Sequence, residues 1–299
     1  MTGAAAGLGL LFVTLVAWAP AARAQTPDLP PGAVARYEFA DATGTIIPNR
    51  IQTASALPLL NIRGSDFQVA NGEGIWNQSI GNFTFSFPFD PSRGTFAEQS
   101  TTFPNFFGAG GTLALRLRLS PTVAASLGQA SSMGLITFRP DPDINIHRVT
   151  PRGLEIKRDG PTDPLFFLVR EGNNSIGHNN EFNDEVRSGP LSSPNAEKTA
   201  IVVWDAQTLR IYVDGVLSGT STRVTVDHPT PRYRIMVAVQ PGLIHSGDNQ
   251  FYEGAIRTFV VYNRVLSGAE ITTLHAALVG GVAPSPIPPS PPANLRILP

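Results

Sequence analysis

The chain has 299 residues, 42% of them hydrophobic and only 15% charged, which is enough apolar material for one large core or two small ones. Lys+Arg 22 against Asp+Glu 23 gives a formal net charge of −1 with no basic tract, so nucleic acid and anionic membrane surfaces are poor partners. The absence of cysteine excludes disulfides, thiolate metal sites, cysteine nucleophiles and an acylated lipoprotein anchor.

Residues 1–24 read as an export signal. The apolar stretch Gly7 to Trp18 is shorter than the ~20 residues of a spanning helix. Pro20 breaks it, and Ala22-Arg23-Ala24 supplies a small-x-small cleavage pattern before Gln25. One feature departs from the pattern: no Lys or Arg precedes the apolar stretch. The expected location is secreted or periplasmic, with no membrane span after cleavage. Residues 25–34 form a short Pro-rich lead.

Strand signals then dominate. Gly108-Ala-Gly-Gly111 reads as a turn, because it precedes a strand and lacks a following Lys-Ser/Thr. Residues 113–119 alternate leucine with polar or small residues, as a strand with one buried and one wetted face does. Residues 153–159 repeat that pattern, 165–169 are apolar throughout, and 233–239 and 257–262 supply further runs. Leu209 to Val213 and Val216-Leu217 flank Asp214-Gly215, whose tolerance of positive φ predicts a type I′ hairpin. Trp204, in an apolar run, is expected in the core.

A helix is expected after Asn263. Ser267 and Glu270 form a capping box, Ile271, Leu274 and Leu278 share one face, and Gly280 stops it. His275 is expected at its surface. Residues 282–299 form a Pro-rich tail unable to pack a core, ending in an isolated strand-like run from Asn294. With no other helical period, the chain reads as all-β.

Two segments resemble the laminin G-like, concanavalin A-like jelly-roll family. One runs from Ala200-Ile-Val-Val-Trp204-Asp205 through Leu209-Arg-Ile-Tyr-Val-Asp-Gly215. The other joins Phe251-Tyr-Glu-Gly-Ala-Ile256, Val260-Val-Tyr-Asn-Arg264-Val-Leu-Ser267 and Glu270-Ile271. Tyr37-Glu-Phe39 with Asp41, Gly44 and Asn49 is similar to the family's opening strand. The resemblance implies a two-sheet antiparallel jelly-roll sandwich over residues 35–281 with a short C-terminal helix. It also implies a binding module for glycans or glycoprotein surfaces rather than an enzyme. A structural or adhesive module, and a polysaccharide lyase or glycoside hydrolase, are the alternatives.

The family often places a calcium-binding carboxylate after the closing Ile, where this chain has Arg257. A cation there repels calcium, so no cofactor is expected on that model; Asp41, Asp248 and Asn249 could build a different oxygen site. For sugar binding, an aromatic platform with planar polar neighbours is needed. Trp76 with Asn77 and Gln78, and Tyr252 near Asp248 and Asn249, are the groupings that offer one.

For catalysis, Glu181-Phe-Asn-Asp184-Glu185 fails as an acid pair, because Asn183 stands where the alternate acid belongs. His178, Asn180, Glu181 and Arg187 remain a polar group able to line a cleft. Serine-nucleophile, zinc and phosphate-loop motifs are absent.

Overall fold

The computed structural model describes residues 28–53, 56–65, 67–76, 96–99, 110–119, 133–140, 154–158, 168–171, 184–191, 193, 196–222, 233–240 and 250–280. The expected export signal and Pro-rich tail lie outside them. In chain order the strands are β1 (Ala33–Glu38), β2 (Ile46–Ile47), β3 (Leu60–Arg63), β4 (Phe67–Ala70), β5 (Glu73–Trp76) and β6 (Phe96–Gln99). Next come β7 (Gly111–Leu119), β8 (Met133–Pro140), β9 (Leu154–Arg158), β10 (Leu168–Glu171), β11 (Asp184–Arg187) and β12 (Lys198–Trp204). The last are β13 (Thr208–Val213), β14 (Val216–Thr222), β15 (Tyr233–Val237), β16 (Val239–Gln240), β17 (Gln250–Phe251) and β18 (Gly254–Tyr262). A helix, α1 (Gly268–Gly280), follows β18, and a single 3-10 turn, Phe39–Asp41, follows β1.

Sixteen of these strands form two eight-stranded antiparallel sheets, the sandwich expected from the sequence, and β16 and β17 pair in a separate two-stranded ribbon. Sheet A runs β14-β13-β12-β7-β18-β5-β4, with β1 also pairing β18. Sheet B runs β11-β10-β9-β8-β15-β6-β3-β2. Period-2 alternation sends Leu113, Leu115, Leu117, Val202, Trp204, Ile211, Phe259 and Val261 from sheet A into one buried cluster. Leu60, Ile62, Ile136, Val186, Ile235 and Val237 meet them from sheet B. Each such side chain stabilises the fold by about 1.5–3 kcal/mol when fully buried.

The 113–119 strand differs from the one-wet-face expectation: β7 is buried on both faces. Its second face carries Ala114, and α1 lies across it. Ile271, Leu274 and Leu278 of α1 pack with Ala114, Ile201, Val203, Val260 and Tyr262 in a second cluster. The capping box fixes where α1 starts. Ser267 N donates to Glu270 Oε2 at 2.9 Å and Glu270 N to Ser267 Oγ at 3.4 Å. Arg264 also donates to Glu270 Oε1 at 2.7 Å, and this pairing, with the Ser267 hydrogen bonds, pulls the Glu270 carboxyl down to about 2.

The β13–β14 turn has the type I′ signature, with φ of 50° at Asp214 and 77° at Gly215. Asp214 ties the turn to β12 by accepting Thr199 N at 3.0 Å and Lys198 Nζ at 2.8 Å. His275 departs from its expected surface position. It is half-buried, its ring covers Gly215, and its Nδ1 lies 2.8 Å from Thr199 Oγ1. The predicted 165–169 strand is described only from Leu168, as β10.

Candidate functional site

The residues expected at a binding site divide into two groups. Asn77, Gln78, His178, Asn180, Glu181, Asp248 and Asn249 lie outside the described residues. Trp76, Tyr252, Asp41 and Arg187 are placed, as is Arg257 at the departure from the family's calcium position, and each has a partner.

Trp76 and Tyr252 are not platforms. Trp76 is 1% exposed and Tyr252 fully buried, in an aromatic group with Phe39 and Phe67 whose ring centroids lie 4.9–6.4 Å from that of Trp76. The Tyr252 hydroxyl sits 2.8 Å from Arg118 O and 3.2 Å from Ala255 O, and burial pushes its pKa well up. A ring with no solvent-facing side cannot stack on a sugar, which corrects both assignments. The strand pleat sends Trp76 inward while the polar residues after it suggested a loop.

Asp41 is likewise committed. Arg50 grips it with both nitrogens, Nε to Oδ2 at 2.5 Å and Nη2 to Oδ1 at 2.8 Å, and this hydrogen bonding raises the arginine pKa. A fork–fork pair leaves the carboxylate neutralised, so Asp41 does not stand as a calcium ligand here. Among the described residues, no group of three or more His, Cys, Asp or Glu is placed to hold a metal ion.

Arg257 occupies a β-bulge of β18, where the register with β7 shifts between Ile256 and Thr258. It joins a chain of charges on the helix-bearing face of sheet A. Arg116 Nη2 donates to Glu197 Oε2 at 2.6 Å, and its Nη1 bonds Leu278 O at the C-terminal end of α1. Arg257 Nε lies 3.0 Å from Glu197 Oε1, without the alignment of a hydrogen bond, and its Nη2 lies 3.6 Å from Glu73 Oε1. Arg118 Nη2 donates to Glu73 Oε2 at 2.9 Å. The position that brings a carboxylate in the resembled family is here the middle of an arginine–glutamate ladder.

The outward face of sheet B offers the other surface, and no described helix lies on it. Register alone sets a single cross-strand row, out of step with the core row: Asn61, Glu98, Met236, Thr137, Glu155, Arg170 and Glu185, from β3 through β6, β15, β8, β9 and β10 to β11, with Met236 buried at its middle. Six of the seven are polar. Arg63, on β3, pairs with Glu98 at 2.8 Å and is 53% exposed. Sequence reading missed this row because it is assembled from seven separate strands. Only the pairing order reveals it.

Residues 144–272 match the model of the concanavalin A-like lectin/glucanases superfamily, in its laminin G-like form, the family that the two sequence segments resemble. No curated protein matches the chain. Among solved structures it is similar to Trypanosoma rangeli sialidase in complex with sialic acid, at 14% identity and TM-score 0.51, covering 85% of this chain and 34% of the sialidase. It is also similar to the botulinum neurotoxin serotype G binding domain, at 13% identity and TM-score 0.51, covering 81% of this chain and 50% of that one. A third is the binding domain of botulinum neurotoxin DC in complex with SialylT, at 11% identity and TM-score 0.52, covering 83% and 52%. The chain thus spans about a third of the sialidase and half of the toxin domains. At these identities the likeness is one of fold.

Proposed function

We propose that this chain is an exported glycan-binding module, using the outward face of sheet B. The observation that carries the reading is the polar cross-strand row on that face, while α1 lies on the outward side of sheet A. Sugars present hydroxyls that need planar polar partners, and the Asn, Glu, Thr and Arg positions on either side of Met236 supply both donors and acceptors. Two of the similar structures are a toxin binding domain in complex with SialylT and a sialidase in complex with sialic acid. That supports a sugar as ligand, by fold-level analogy. Export rests on the apolar segment before Gln25.

An enzyme is the second reading, and one observation favours it. Register sets Glu171 of β10 directly opposite Asp184 of β11. Like charges set directly opposite in a ladder are destabilising, and a carboxylate pair is the group that glycoside hydrolysis uses. The two readings separate on a glycan array of the full chain, run with calcium and again with chelator, followed by incubation with each hit. Saturable binding without new reducing ends or unsaturated products supports the module. Turnover lost in Glu171→Gln and Asp184→Asn variants establishes the enzyme, and no binding to any glycan overturns both in favour of a structural role.

A further inference from the structure

We infer that the arginine–glutamate ladder on sheet A is a second ligand site, one that takes a carboxylate-bearing sugar; this does not depend on the sheet B reading. The argument is an accounting of donors and acceptors. Arg116, Arg118 and Arg257 carry about five N–H donors each, whereas Glu73 and Glu197 offer two carboxylates. Arg116 is spent: it is 10% exposed and holds both Glu197 and the Leu278 carbonyl. Arg118 and Arg257 are not. The Arg118 side chain makes one hydrogen bond among the described residues and is 35% exposed. Arg257 makes ion-pair contacts only, is 32% exposed, and keeps a buried Nε with no hydrogen bond.

Arg257 Nε is buried against Glu197 Oε1 at 3.0 Å, so the part of this guanidinium open to an added acceptor is its terminal nitrogens, held only by a 3.6 Å contact to Glu73. Among the described residues the ladder joins three guanidiniums to two carboxylates, so an added anion balances it. The neighbouring pair, Arg36 with Glu38 at 2.6 Å, is already neutral, and Thr258 Oγ1 donates to Glu38 Oε2 at 2.8 Å. Room is provided too. Gly72, at φ 76° in the β4–β5 turn, has no side chain over Arg257, whose Nη1 lies 3.6 Å from where a Cβ would stand. The bulge re-aims Arg257 in the manner of bulges beside functional sites. A planar carboxylate matches a guanidinium fork, and two forks flanking Glu73 select for it over a hydroxyl.

The test is calorimetric titration of the full chain at low ionic strength with tetragalacturonate, with 3′-sialyllactose, and with lactose as the neutral reference. One or both acidic sugars should bind, and binding should weaken as salt is raised. The two acidic arms distinguish a uronate from a sialate. Arg118→Gln and Arg257→Gln should each weaken that binding about tenfold, while Arg210→Gln, whose guanidinium pairs with Asp205 away from both faces' proposed sites, leaves it unchanged. Arg257→Lys should recover only part, because it restores charge without the fork. Thermal melts check that each variant folds. Failure of both acidic sugars to bind overturns the inference, as does acidic binding that the Arg118 and Arg257 variants leave intact. Glycan-array binding in either case keeps the sheet B reading standing.

Discussion

Asn49 is the most informative residue to perturb outside the binding faces. It is 8% exposed and its side chain makes four hydrogen bonds. Its Nδ2 donates to Leu57 O at 2.7 Å and Val34 O at 3.1 Å. Its Oδ1 accepts Arg36 N at 2.9 Å and Ile51 N at 3.0 Å. One amide thus clamps β1 to the two stretches that lead away from it. Asn49→Asp changes almost no volume, so packing losses are negligible. It replaces the donor with an oxygen aimed at two carbonyl oxygens. Two hydrogen bonds at about 1 kcal/mol each become repulsions, and a charge is desolvated, partly offset by the two amides that still point at Oδ1. The expected loss is about 3 kcal/mol at pH 7.

The sign with pH follows from the same geometry. Burial and facing carbonyls raise the introduced carboxyl's folded pKa above its unfolded value of about 3.9. The deficit is therefore full above the folded pKa and shrinks as pH falls toward the unfolded value, where the neutral acid can donate again. Urea unfolding of variant and parent at pH 7 and pH 4.5 measures it. A deficit under about 1 kcal/mol, or one that does not fall at pH 4.5, refutes the clamp.

Other expectations concern α1, the turn and the aromatic group. Glu270→Gln removes a carboxyl held near 2 in the folded state, against an ordinary value of 4.5. The parent's contribution is present above the unfolded value and lost as pH falls from there toward 2, so the variant should lack that slope in melts across the window. Gly215→Ala places a Cβ 2.7 Å from the His275 ring at a positive φ and should cost about 1–2 kcal/mol by denaturant titration. Trp76→Ala should cost about 3–5 kcal/mol. Glycan affinity measured below the melt should stay unchanged, the opposite of what a stacking platform gives.

Local signals were fully legible in the sequence, non-local ones were not. Asp214-Gly215 encodes its own turn through backbone φ preferences, and Ser267 with Glu270 encodes a helix start through two reciprocal hydrogen bonds, so each needs nothing from afar. The fate of β7 was misjudged because its alternation, Leu against Arg, Ala and Thr, depends on what covers the polar side. Only the docking of α1, more than a hundred residues later, decides that. Trp76 misled for a related reason. Its polar followers suggested a loop, but pairing of Gly254 with Trp76 turns the ring inward. The sheet B row and the Arg257 bulge exist only as register, which no single segment carries.

The place of β18 at the centre of sheet A governs when this protein can finish folding. β18 pairs with β7 along one edge and with β1 and β5 end to end along the other. Its partners include groups as far away as Glu38 and Pro30, 220 and 232 residues upstream of their hydrogen-bonding mates. Until residues 254–262 are available, β1, β5 and β7 have open edges and no strand to join them. A topology so dominated by distant pairings folds slowly and exposes its edges meanwhile. Sheet A therefore cannot be completed until its last strand has emerged, and a truncation before Gly254 should leave a remnant with open strand edges that aggregates.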